Sequence, residues 1–133
     1  LDEALPAAER EAVTEEAMAS HCDALPRPVA AKMVAAQRLR DARFAHAVRR
    51  ARAIGGGRTV LVTGNGHART DRGVPAALAE AEPALDVVAL GQLEVAEGRT
   101  ALADYGPDGA PPPYDYVWFA EPAEREDPCA AFE

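Results

Sequence analysis

Thr59-Val60-Leu61-Val62-Thr63-Gly64-Asn65-Gly66-His67-Ala68-Arg69-Thr70 is the stretch from which the fold is read. A β-branched and aliphatic run ends abruptly in Gly-Asn-Gly, and a histidine follows. Because the run is continuously apolar and does not alternate, it predicts a strand buried on both faces. Gly and Asn tolerate positive φ, so the chain can turn sharply where the strand stops. His67 is then delivered to the carboxyl end of a central strand, the edge of an open α/β sheet where ligands bind.

Outward from this point the chain reads as helices and strands. Pro6 to Ser20 is Ala- and Glu-rich and predicts a surface or lid helix with few large apolar residues. Pro26 and Pro28 break it. A longer helix is expected from Val29 to Ile54, where Met33, Ala36, Gln37, Arg40, Phe44, Ala47, Val48 and Ala51 recur at three- and four-residue steps. Gly55-Gly56-Gly57 ends it. Gln37, Arg40, Asp41 and Phe44 fall on one side, a polar patch whose ordinary reading is a solvated flank and whose other reading is the wall of a site. Pro75 to Glu82 predicts a helix, Leu85 to Leu90 a strand, Asp104 to Pro113 a Gly/Pro-rich loop, and Tyr114 to Phe119 a last strand. This order predicts an α/β fold: a mostly parallel sheet flanked by helices, with the remainder of a helical lid at the amino terminus. The expected division is 1–25 as the end of the lid and 26–133 as α/β domain.

With 133 residues the chain suits one small domain. Aromatics are only 5% and much of the apolar content is Ala, so the core is thin. A net charge of -8 argues against non-specific nucleic-acid binding. There is no apolar run of membrane-spanning length and no targeting signal. The chain opens on Leu1 without a methionine, for which a removed signal peptide or an upstream half are the two expectations. There is no P-loop, no G-x-G-x-x-G after a strand and no nucleophile elbow. His67 stands out as a ligand or metal-binding group, since neutral imidazole is a common ligand, although a structural His is the default for Gly-x-x-His alone. Arg69 can meet a carboxylate or propionate bidentately, or be a surface Arg. His21 reads as a helix-terminal side chain, His46 as solvated, and Tyr114 and Tyr116 as packing residues; tyrosinate can ligate ferric haem.

Met33-Val34-Ala35-Ala36-Gln37-Arg38-Leu39-Arg40-Asp41, Gly64-Asn65-Gly66-His67-Ala68-Arg69, Gly73-Val74-Pro75, Tyr114-Asp115-Tyr116-Val117-Trp118 and Asp127-Pro128-Cys129 occur in that order. The ordered set, spread over nearly the whole chain, resembles the ChaN-like haem-binding uptake family of the superfamily that includes the Tiki proteases. Phe44 stands where relatives have Met. The resemblance implies a domain about twice this long, of which this is the carboxyl-terminal half, with a first half carrying a Gly-Glu-x-His type motif that would pair with His67.

The function the resemblance implies is haem binding in bacterial iron uptake. Haem would be held at the carboxyl edge of the sheet under the lid, between the subunits of a homodimer or with the missing amino-terminal half. The residues expected at the site are His67, Asn65, Gly66, Arg69, Gln37, Arg40 and Asp41. The family tyrosine ligand cannot be placed among Tyr105, Tyr114 and Tyr116. The rival is a Tiki-like metal-dependent hydrolase, with His67 holding a divalent metal; an inactive fragment is the third. The implied location is periplasmic or outer-membrane-associated, through a lipid anchor not carried here. Because the family is exported, where disulfides persist, Cys22 and Cys129 are expected to approach each other; two unrelated small apolar residues is the alternative.

Overall fold

The computed structural model describes residues 5–130. Among them the order is α1 (Ala7–Ala19), α2 (Arg27–Gly55), α3 (Asn65–Ala68), α4 (Val74–Ala81), β1 (Leu90–Glu94) and β2 (Tyr116–Ala120), with short 3-10 turns at Leu102–Tyr105 and Pro107–Gly109. The architecture is mixed and mostly helical: four helices and one parallel pair of strands. The chain divides into two compact units, one of the residues up to Arg40 with those from Glu124 onward, the other Asp41–Ala123.

In the first unit, α1 forms because Ala and Glu are good helix formers and Glu9 lies in the first turn, where the helix dipole favours an anion. Thr14, buried, turns its hydroxyl back to the Arg10 carbonyl at 2.7 Å. The helix stops in a turn where Cys22 and Asp23 both take left-handed backbone, with φ of 59° and 53°. Arg27, at the start of α2, donates to Glu15 at 2.6 Å and pairs with Glu11, so the two helices are pinned through one guanidinium. Cys22 is disulfide-bonded to Cys129 with Cα atoms 5.5 Å apart, which fastens the tail to the turn between the helices.

In the second unit the core is Ala45, Val74 and Leu78, with Phe44, Val48, Ala77, Leu85 and Val87 packed around it. It joins the second half of α2 to α4. Gly56, with φ 65°, sends its N–H to the Arg52 carbonyl at 2.9 Å and ends α2 in a left-handed cap, as the glycine run predicts. β1 and β2 run parallel in the register Leu90 to Tyr116 through Glu94 to Ala120. The Asp104 carboxylate caps the loop between them by accepting from the N–H groups of Thr100 and Ala101, at 2.8 and 2.7 Å. These two bonds hold its pKa below the usual carboxylate range, the Ala101 bond first.

α1, α2 and α4 stand where the sequence places helices, while α3 occupies what reads in the sequence as a turn; the sheet does not stand where the sequence places it. Residues 59–63, expected as its central buried strand, join no ladder among the described residues, and Val60 and Val62 are 85% and 89% exposed. The strand expected at 85–90 begins only at Leu90 and runs on through Glu94. The last strand starts at Tyr116, not Tyr114. The mostly parallel sheet is therefore one parallel pair. The physical reason is that an apolar run becomes a strand only where another backbone meets its N–H and C=O groups. β2 meets β1 and leaves residues 59–63 and 86–88 without such a partner. Tyr116, expected to pack, is exposed beside Trp118 on β2.

Candidate functional site

The run at 59–63 leads into Gly64, the residue before the single turn of α3, whose carbonyl accepts the His67 N–H at 2.9 Å. That one turn carries His67 back toward α2. Its Nδ1 lies 2.5 Å from Asp41 Oδ1. A carboxylate only accepts, so Nδ1 is the donor. The Asp41 side chain is 6% exposed and that of His67 14%. Phe44, one turn beyond Asp41 on α2, meets the imidazole edge-on, with centroids 5.2 Å apart and planes at 75°. Asp41 and Phe44 are three residues apart on one helix, so they grip the ring from adjacent positions.

Asn65 is the second fixed point. Its side-chain amide donates to the Gln92 carbonyl at 2.5 Å and its oxygen accepts the Gln92 N–H at 3.2 Å. The amide thus stands in for one residue of a strand beside β1. Tyr114 donates its hydroxyl to the Asn65 carbonyl at 3.2 Å. Its ring covers Gly91, where a Cβ would collide with it. Thr70 sends both its N–H and its hydroxyl to the Pro113 carbonyl, at 2.9 and 3.0 Å. Gly73 closes the loop: its N–H bonds the Arg69 carbonyl at 3.0 Å, and a Cβ there would strike the carbonyls of His67 and Arg69. Only glycine lets the backbone return that closely.

Arg69 is engaged with Asp71 through both of its forks, Nε at 2.8 Å and Nη2 at 2.6 Å. That pairing holds the Asp71 carboxyl below its ordinary range. Gly66 lies on α3. Gln37 and Arg40 belong to the first unit, where Arg40 donates to the Gln37 side-chain oxygen at 3.2 Å. The second unit thus brings together Asp41, His67 and Phe44, with Asn65 and Arg69 tied into the loop that holds them. The solvated-flank reading fails for Asp41, which is buried. His21 caps α1, its Nδ1 2.8 Å from the Ala17 carbonyl, and His46 is exposed, both as expected. Gln92 and Tyr114, which fix the loop, were not singled out as anchors: each acts across tens of residues, and no local pattern announces such a pair.

A cavity of about 1550 Å³ opens beside the site. Asn65 and His67 line it, as do Val48, Val74 and Leu78, with Arg52 and Arg58 also on its wall. Among the described residues no three His, Cys, Asp or Glu side chains gather as a metal site. No described helix is long and apolar enough to cross a membrane.

The family model described as haem-binding uptake, Tiki superfamily, ChaN matches residues 1–78. That span takes in Arg40-Asp41 and Gly64 to Arg69 and stops before β1 and β2, short of the near-complete coverage the motifs suggest. No curated protein and no solved structure matches the chain.

Proposed function

The chain belongs to the haem-binding uptake family of the Tiki superfamily, ChaN, and from that premise we propose that it binds haem at His67 as a component of bacterial haem and iron uptake. The observation that carries this reading is the Asp41–His67 pair. A histidine whose Nδ1 is held by a carboxylate has its ring orientation fixed, which is what an iron ligand requires. The remaining residues fit the group. Phe44 supplies an aromatic edge, Val48, Val74 and Leu78 supply apolar surface along the cavity, and Arg58 supplies a cation of the kind that meets propionates, Arg52 being paired with Glu82. Bound there, haem would bring ferric iron with an open coordination position; the protein's part is to orient the imidazole and exclude water from it.

A second subunit over the opposite haem face, and a periplasmic or outer-membrane location, belong to the same proposal. The Cys22–Cys129 disulfide supports an oxidising compartment.

Hemin titration followed in the Soret band tests the reading. The wild-type chain should give a saturable shift, His67→Ala should abolish it, and Asp41→Asn should weaken it by about tenfold or more while leaving the fold intact. A shift unchanged in His67→Ala overturns the assignment. Metal-dependent peptide cleavage without any hemin response would move the protein to the hydrolase reading.

A further inference from the structure

The charges of this chain are sorted along it. Nine of its 14 Lys and Arg residues lie from Arg27 to Arg58, with one of its 22 Asp and Glu residues. That stretch carries +8 and the rest of the chain -16. It is α2 with the residues just after it, and its single acid, Asp41, is buried against His67. No acid stands in the first turn of α2, where the helix dipole would favour one. Arg40 and Arg43, and Arg49 and Arg52, stand three residues apart, a spacing at which like charges repel.

In the second unit the cations of α2 divide between two flanks. Arg49 and Arg52 meet Glu82, at 3.0 and 3.3 Å. Arg43, His46 and Arg50 lie about half a turn round the helix from Asp41, Ala45 and Val48, the side that packs inward. All three are exposed, and among the described residues no carboxylate pairs with them. Ile54, one turn beyond Arg50 on the same line, is 81% exposed. From Arg43 to Ile54 the stripe runs about 16 Å along the helix.

We propose that this stripe, Arg43, His46, Arg50 and Ile54, docks the protein on an anionic phospholipid surface. Charge complementarity supplies the attraction: each arginine held near such a surface strengthens partitioning about fivefold. Acidic groups more than about 8 Å from the headgroups are screened from them, so the face presented, not the net charge, decides binding. Two features favour a bilayer over an acidic polypeptide. The stripe is straight and convex, as one face of a helix is, so a plane of phosphates meets its cations together. Ile54 stands in line with those cations, and the boundary between headgroups and acyl chains takes a cation and an aliphatic side chain side by side. A row of carboxylates would leave Ile54 against charge. None of the four residues lines the cavity beside His67, so the proposal is independent of the haem reading.

Flotation of the full chain with vesicles of phosphatidylcholine containing phosphatidylglycerol, against phosphatidylcholine alone, tests this. Saturable binding is expected on the anionic vesicles, weakening as salt rises, with none on the neutral ones. Arg43→Gln and Arg50→Gln should each weaken binding about fivefold. Ile54→Ser should weaken it by a similar factor, about fivefold, through lost apolar burial. Arg49→Gln removes the same charge from the adjacent position on the Glu82 flank and should leave binding unchanged. Melting temperatures confirm that each variant is folded. Absence of wild-type binding, or equal binding to neutral vesicles, overturns the proposal. So does equal loss in Arg49→Gln and Arg50→Gln, which would mean charge counting without a face. Retention on immobilised poly-glutamate with Ile54→Ser indistinguishable from wild type makes an acidic polypeptide the partner and overturns it too. The Soret titration at His67 is read separately, so either result leaves the haem reading to its own test.

Discussion

The two units hold distant chain segments by opposite means. In the first, a covalent bond joins residues 107 apart in sequence, and one arginine pins two helices through two glutamates. Its buried residues are small, with Ala30 and Thr14 the clearest, so little apolar burial is available to do the same work. In the second, no covalent tie exists. A core of Ala45, Val74 and Leu78 joins two helices, and side chain-to-backbone bonds from Asn65, Thr70 and Tyr114 gather the loop that carries His67. That unit leaves two apolar runs unpaired. A small-residue region is closed by a cross-link, while a region with larger side chains is closed by burial and stays open where burial has no partner.

The largest way to break this comparison is to cut the cross-link. A disulfide closing a loop of 107 residues stabilises by restricting the unfolded chain, by about 4–5 kcal/mol at most on the chain-entropy account and by less while the second unit inside that loop stays folded. Reduction, or Cys22→Ser with Cys129→Ser, should lower the stability of α1 and the tail by less than that limit, about 2–4 kcal/mol. Denaturant melts with and without reductant measure it, and hydrogen exchange localises it. Amides of the Asp41–Ala123 unit should keep their protection. Equal loss in both units would show that they are not separately held.

The next effect belongs to the second unit. Asp41→Ala leaves the His67 ring nitrogen without its carboxylate in a nearly buried site, at a cost of about 3 kcal/mol. A change below about 0.5 kcal/mol in a thermal or urea melt would mean the pair contributes nothing beyond solvent contact. Asn65→Ala is smaller, about 1–2 kcal/mol, for two hydrogen bonds to a partly solvated backbone. It should also free the Gln92 amide to exchange.

These effects fall along the line between what the sequence showed and what it did not. The helices were legible because their signals are local: Gly55 to Gly57 end one and Pro75 opens another, although the prolines read as breaking α1 stand beyond its end, with Pro28 in the first turn of α2. His67 was legible for the same reason, as a histidine directly after an apolar run and a glycine turn. Its partner Asp41 was visible only as one of several polar residues on a helix flank, because burial depends on what packs above it. The central strand was misread for the converse reason. Thr59 to Thr63 has the composition of a buried strand, but a strand is a property of a pair of backbones, and composition reports only one. The tie between Asn65 and Gln92 left no trace at all in local pattern.

The smallest effect sharpens the comparison. Arg69 and Asp71 pair within the loop that presents His67, with the Asp71 side chain 45% exposed. The Arg69 hydrogen bond is the main cause of the lowered Asp71 pKa; partial burial opposes it, and the charges of Arg69 and Arg72 assist. A carboxyl whose folded pKa lies below its ordinary 3.8 binds protons more tightly when unfolded. Its contribution is therefore complete above that value and disappears as the pH falls through 3.8 toward the lower folded pKa. Solvent screening keeps it below about 1 kcal/mol. Wild type and Asp71→Asn should thus differ slightly in melting temperature near neutral pH, converge in acid, and converge also in high salt. Reducing agent should leave that difference unchanged, because the loop belongs to the unit without the cross-link. A difference that persisted in acid would assign Asp71 a shape role and remove the ion pair from the account of how the His67 loop is held.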